Sequence, residues 1–408
     1  MSRFSMVAVL ASSLGFASAC TNNAPSDEPD GGGPDPDAGE PVLLDPPREG
    51  SGIQVGMETS LDAGEEVEYC RYVVVPDGAD LDVARFEHAY TAGSHHLLLY
   101  QTSLTADEAR DDMFSCGGAS FAELGISGIA YVAQVATGEM AYPEGVALHI
   151  KAGDVLLLQT HYLNASEAEL EVEVRLNLWQ SAVPVTAEAG TLFLYNWTIV
   201  VPAGEPATAR MRCQIPADVQ LLYGMSHMHR RGVDYRATLE GGALPEPIEL
   251  FTTAEWEGIE PARYEPFQTI TAGQTIDFSC DYQGEADRTL IDGPSADANE
   301  MCMFIAAYWP RVDLQTESCQ GPGSGPVFSG DRTCAQTMAC VQGTDDAIAQ
   351  EECVIETCPG SNAAAVTLLT CIFYNCNAEC EPGANGCDSC VAEACAEPYT
   401  GCAQATCD

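Results

Sequence analysis

Cysteine placement constrains this chain more than any other feature. Of its nineteen cysteines, twelve crowd between Cys334 and Cys407. Thiols at that density persist as partners only in an oxidising compartment, so the chain is expected to be exported. Four pairs share the spacing C-x4-C: Cys353/Cys358, Cys371/Cys376, Cys390/Cys395 and Cys402/Cys407. Helix-favouring, Ala-rich segments lie between them. Residues 330–408 therefore read as a small disulfide-rich, helical module. Zinc is the alternative, but zinc ligands favour spacings such as C-x2-C, and only Cys387/Cys390 offers it. Which cysteine pairs with which is not readable from spacing.

The N-terminus fits export. Arg3 precedes an apolar run from Met6 to Phe16, then Ala17-Ser18-Ala19 and Cys20. That run is too short to span a bilayer and reads as a signal peptide over residues 1–20. Ala17-Ser18-Ala19-Cys20 resembles a lipobox, with Ala17 where leucine is usual. It implies lipidation of Cys20 and a place on the outer membrane or cell surface. Ordinary cleavage after Ala19, giving a periplasmic or secreted protein, is the alternative. Residues 21–50, rich in Asp, Gly, Pro and Glu, cannot bury enough apolar surface to order themselves and read as a flexible linker.

Acidic residues outnumber basic ones 61 to 16, a formal charge of −45. Such a surface repels phosphate backbones, which excludes nucleic acid as a partner. It also leaves the lipid anchor as the sole route to a membrane. Between the linker and the Cys-rich module the pattern is β. Leu170, Val172, Val174, Leu176 and Leu178 alternate with Glu171, Glu173, Arg175 and Asn177, the period of a half-buried antiparallel strand. Arg71–Val75, Val155–Leu163 and Thr191–Val201 are further strand-like runs, with turn residues such as Pro76-Asp77-Gly78 and Ala152-Gly153-Asp154 between runs. The chain is expected to be all-β, with two tandem antiparallel jelly-roll-like sandwiches at 51–183 and 184–325.

Five of the seven histidines fall in three contexts. These are His95-His96 at the start of an apolar run, His161 inside Leu158-Gln159-Thr160-His161-Tyr162, and His227-Met228-His229. His227 and His229 stand two apart, so a strand presents both on one face. Adjacent residues such as His95 and His96 point to opposite faces of an ideal strand, and share a metal only near a strand end. Imidazoles clustered without thiolate suit copper or zinc. His88 and His149 belong to no such cluster and read as core or surface residues.

These contexts, followed by Glu300-Met301-Cys302, resemble in order and spacing the copper type II ascorbate-dependent monooxygenases. That family includes peptidylglycine α-hydroxylating monooxygenase and dopamine β-monooxygenase. Tyr142-Pro143-Glu144-Gly145-Val146 and Cys280-Asp281-Tyr282 add to the likeness, which runs over about Gly52 to Gln320. The resemblance implies two copper ions per chain, one held by His95, His96 and His161, the other by His227, His229 and Met301. Ascorbate or a similar reductant is implied, with O2 and a small molecule as substrates. It further implies disulfides Cys70–Cys116, Cys213–Cys319 and Cys280–Cys302, separate metal domains facing a solvent-filled cleft, and Gln159 along the electron path.

The substrate does not carry over. Peptide-amidating members place an arginine two residues before the His-x-His pair, where this chain has Met225. They follow the methionine ligand with asparagine and tyrosine, where this chain has Met303 and Ile305. A carboxylate clamp is missing, which points away from peptidylglycine and toward a more apolar substrate. The function expected is hydroxylation of a C–H bond. The alternative is a surface lipoprotein that binds or sequesters copper without catalysis.

Overall fold

The computed structural model describes residues 44–321, 323–380 and 386–408. The expected signal peptide, Cys20 and residues 21–43 of the expected linker lie outside the described residues. Strands make up 44% of the chain and helix 16%. Among the described residues, every helix except a four-residue one at Leu314–Glu317 lies at Cys334 or beyond, so the described body is all-β. No helix among the described residues is long and apolar enough to cross a membrane.

Two sheets form the first β-domain. One runs in the order Gly52–Leu61, Leu170–Gln180, Leu81–Tyr90, Val146–Ile150, Ala187–Glu188, with Thr137–Ala141 also paired to Leu81–Tyr90. Its alternating strand Leu170–Gln180 buries Val172, Val174, Leu176 and Leu178, the residues its period of two points inward. The other sheet runs Phe114–Ser115, Glu66–Val74, Val155–Leu163, Ser94–Thr102, Ile126–Ala133. Here Val155–Leu163 is apolar throughout its first half, and Val155 to Tyr162 are all buried.

The second domain repeats the plan. A four-stranded sheet orders Gly190–Tyr195, Cys302–Trp309, Val219–Met228 and Ala262–Ile270. A five-stranded sheet orders Ile248–Thr253, Gly232–Glu240, Thr275–Gln283, Pro206–Gln214 and Gly325–Pro326. The expected run Thr191–Val201 is broken into Gly190–Tyr195 and Val200–Val201. Asn196 is the cause. Its side chain accepts from Thr198 N and donates to Arg210 O, an Asx turn that takes the chain out of the sheet. One continuous apolar core, from Val55 to Cys319, joins both domains.

The Cys-rich module has its own core, including Val341, Val354, Leu368, Leu369 and Val391, with Trp197 of the second domain packed against it. Six disulfides staple it: Cys334–Cys402, Cys340–Cys353, Cys358–Cys407, Cys371–Cys395, Cys376–Cys390 and Cys380–Cys387. No C-x4-C pair closes on itself. Five residues along a helix separate Cα atoms by about 7.5 Å, beyond ordinary disulfide reach. All twelve thiols are therefore consumed as disulfides, which removes them as zinc ligands. The β-domains carry Cys70–Cys116, Cys213–Cys319 and Cys280–Cys302.

Candidate metal centre

The strand that carries His95 and His96 begins after a turn at Gly93, whose φ of +91° disfavours any side chain. A Cβ there would lie 2.6 Å from Leu170 Cδ2. The strand is then irregular. Ser94 pairs with Tyr162 and His96 with His161, so the register shifts across His95. An extra residue of this kind re-aims a side chain, and it explains how adjacent histidines join one cluster. Ring centroids lie 5.1 Å apart for His95–His96, 5.3 Å for His95–His161 and 5.1 Å for His96–His161. One nitrogen of each falls within 4.8 Å of the others.

Glu66 fixes which nitrogen His161 offers. Its Oε1 lies 3.0 Å from His161 Nε2, so Nε2 carries the proton and Nδ1 keeps its lone pair. The hydrogen bond from His161 in turn holds the Glu66 carboxyl below its ordinary range. Nδ1 of His95, His96 and His161, and Nε2 of His95, are buried without any hydrogen-bond partner. Four buried orphans at one point are costly unless something binds them. Burial holds His95 down to about 4 and His96 well below its usual value. Both are neutral at pH 7, the form that donates to a metal.

The second cluster stands at the end of Val219–Met228. Met228 pairs with Cys302 on the neighbouring strand, which leaves His229 and Met301 each one residue beyond that pair. A tight turn follows, closed by Gly232 N to His229 O at 2.9 Å. Gly232 is needed for closeness, since a Cβ would sit 2.8 Å from Met228 Sδ. His229 Nδ1 donates to Asn299 O at 3.1 Å, leaving Nε2 buried and unpartnered. The rings of His227 and His229 are 5.4 Å apart. Burial lowers His229 to about 3 and drives His227 well below its normal value. Met301 is held by Tyr282, whose hydroxyl donates to Met301 O at 2.8 Å, and by the adjoining Cys280–Cys302 disulfide.

The approach of the two clusters departs from the separation the resemblance implied. His96 and His227 meet edge to face with centroids 5.1 Å apart, so five imidazoles form one chain of ring contacts. Contacts between the domains close the gap. Ala296 N donates to Glu66 Oε1 at 3.2 Å, Arg311 reaches Gln101 at 3.4 Å, and Arg263 donates to Glu139 O. Trp256 packs on the His95 ring at 5.4 Å, with Glu257 3.7 Å from His95 Nδ1. Gln134 Oε1 lies 2.7 Å from His227 Nδ1. Glu66, Gln134, Trp256 and Glu257 carry no local signal in the sequence, because each reaches the site only by tertiary packing.

Gln159 is buried beside the first cluster. Tyr100 Oη donates to its Oε1 at 2.8 Å, and its Nε2 faces Glu68 at 3.4 Å, so its hydrogen bonds stay within the first domain. His88 is a core residue bonded to Tyr131 and Val135, and His149 is half-buried against Asp82. Met225, Met303 and Ile305 are all buried beside the second cluster, Met225 opposite Ile305 and Met303 opposite His227. A cavity of about 80 Å³ lies between the domains, lined by Gln134, Met225, Tyr223 and Arg263 among others.

The second cluster, with its strand pair and disulfide, occupies a segment that a known family also has. Residues 190–329 match the C-terminal domain of copper type II ascorbate-dependent monooxygenases. The matched segment contains His227, His229 and Met301, while His95, His96 and His161 lie before it. No curated protein matches the chain. Among solved structures, a peptide-N(4)-(N-acetyl-β-D-glucosaminyl) asparagine amidase aligns at 13% identity and TM-score 0.30, over 67% of this chain and 99% of its own. The turret protein A223 of Sulfolobus turreted icosahedral virus aligns at 9% and 0.17, over 63% and 98%. Neither score carries an argument about function.

Proposed function

We propose that the chain is a two-copper monooxygenase that hydroxylates a C–H bond of a small, apolar substrate. The observation that carries this reading is the convergence of buried imidazole nitrogens that have no partner within the protein. Nδ1 of His95, His96 and His161 forms one donor set. In the other, Nε2 of His229 is buried and unpartnered, and His227 and the thioether of Met301 would complete the set. Neutral imidazoles suit copper, and a soft thioether favours its reduced state.

Bound coppers would supply one electron each, so that one atom of O2 enters the C–H bond and the other leaves as water with two protons. Ascorbate or a similar donor restores the electrons. The chain's own work is positional. Glu66 and Asn299 fix opposite ring tautomers in the two sets, Nε2–H on His161 and Nδ1–H on His229. Packing of His96 on His227 keeps the path between the sets short and dry. Gln159, with Tyr100 and Glu68, supports the strand that carries His161. Met225, Met303 and Ile305 are apolar and buried beside the second set, and none of the three offers a charge to hold a carboxylate. With Cys20 as a lipid attachment point, the activity would sit on the outer membrane or cell surface.

Metal analysis of protein folded under oxidising conditions and loaded with copper tests the reading. It calls for two tightly held coppers per chain and ascorbate-dependent oxygen uptake coupled to an apolar substrate. One copper, or preference for zinc, would overturn it.

A further inference from the structure

We infer that Gln134, a residue of the first β-domain, positions a metal ligand of the second, so that the second site is completed across the domain boundary. The inference rests on the two-copper reading. Gln134 directly follows the strand Ile126–Ala133, in which Ala133 pairs with Leu97. It therefore sits beside His96 in the sheet of the first cluster. Gln134 is 6% exposed, and its side chain crosses to three consecutive residues of the other domain. Nε2 donates to Ser226 O at 2.7 Å and lies 3.6 Å from Met225 Sδ, and Oε1 lies 2.7 Å from His227 Nδ1.

The chemistry of those partners removes the usual ambiguity of an amide. Ser226 O only accepts, so the amide NH2 must face it and Oε1 must face His227. Oε1 also only accepts, so His227 Nδ1 carries the ring proton. The lone pair is then on Nε2, and the ring is held on two sides, by Gln134 and by the His96 ring 5.1 Å away. Without Gln134, the buried Ser226 O and the His227 N–H would each lose a partner, and nothing would prefer one tautomer. Outer ligand partners of this kind change metal affinity by about 10–100-fold. Gln134 touches no metal in this scheme and is a positioning residue. Because it stands on the strand beside His96, closure of the domains and readiness of the second site become one event.

The test compares wild type with Gln134→Leu and Gln134→Glu, using copper alone as the probe and chelator competition as the readout. Gln134→Leu keeps the shape and loses both hydrogen bonds. It should hold one copper as wild type does and the other about 10–100-fold more weakly. In its protonated form Gln134→Glu can reproduce both bonds and should restore binding to within about threefold. The ring tautomer of His227 in the metal-free protein, read from imidazole 15N shifts, gives a second measure that survives if Gln134→Leu fails to fold. A proton on Nδ1 in wild type supports the inference, and a proton on Nε2 overturns it. Equal affinity in wild type and Gln134→Leu, or equal weakening at both coppers, would also overturn it. Wild type that binds fewer than two coppers would instead overturn the two-copper reading beneath it.

Discussion

Replacing Glu66 separates two roles that the structure gives to one carboxylate. Oε1 of Glu66 accepts from His161 Nε2 at 3.0 Å and from Ala296 N, across the domain boundary, at 3.2 Å. A hydrogen bond to a charged group contributes about 1.5–3 kcal/mol. Loss of an outer partner to a metal-binding histidine costs about 10–100-fold in affinity, which is about 1.4–2.8 kcal/mol. The two ranges overlap, so Glu66→Ala should weaken copper at His95/His96/His161 by about 10–100-fold. Glu66→Gln keeps an acceptor but no charge, and should cost about fivefold, or about 1 kcal/mol. Competition against a chelator of known Cu(I) affinity at pH 7, repeated with His227→Ala to silence the second site and with His96→Ala to silence the first, measures each site alone. An affinity within twofold of wild type in Glu66→Ala would refute the argument that Glu66 sets the His161 tautomer. Equal weakening at both sites would show instead that Glu66 acts by holding the domains together through Ala296.

Further consequences are as direct. Met301→Leu should abolish coupled oxygen uptake while the three-histidine site still loads; turnover that survives would remove Met301 from the ligand set. The Cys280–Cys302 disulfide closes a loop of 22 residues, which corresponds to about 3 kcal/mol of chain entropy. Cys280→Ser with Cys302→Ser should therefore lower Tm by several degrees and weaken the copper at Met301, and an unchanged Tm would contradict this. Burial pushes the Glu351 carboxyl up to about 8, and its Oε2 has no partner. A raised carboxyl pKa means the neutral form is favoured by folding, so stability is lost as pH rises from about 4.5 to about 8. Glu351→Gln should thus gain about 1–3 kcal/mol at pH 8.5 and almost nothing at pH 4; equal gains in thermal scans at both pH values would refute the buried-acid account.

The strands were legible where one face is buried and the other wet, as in Leu170–Gln180, because the period of two is written in the residues themselves. Val155–Leu163 was legible as a run but not as a central strand, since burial on both faces erases the alternation. Asn196 shows the limit. A single side chain that bonds its own backbone ended a strand that propensity would have carried to Val201. The helical character of the Cys-rich module followed from composition, whereas its six pairings followed only from where the helices pack.

For the site, type and spacing drew attention to the three histidine contexts, and the family resemblance added the methionine. Sequence order could not bring His95 and His96 to one side of a strand, which required the register shift opposite Tyr162 and His161. Nor could it decide which ring nitrogens are free, because Glu66, Asn299 and Gln134 fix those from 95, 70 and 93 residues away. Residue identity determined which side chains carry imidazole nitrogen or thioether sulfur. Tertiary packing decided how they are aimed and how near His96 comes to His227, because hydrogen-bond direction and ring contact are properties of space and not of order along the chain.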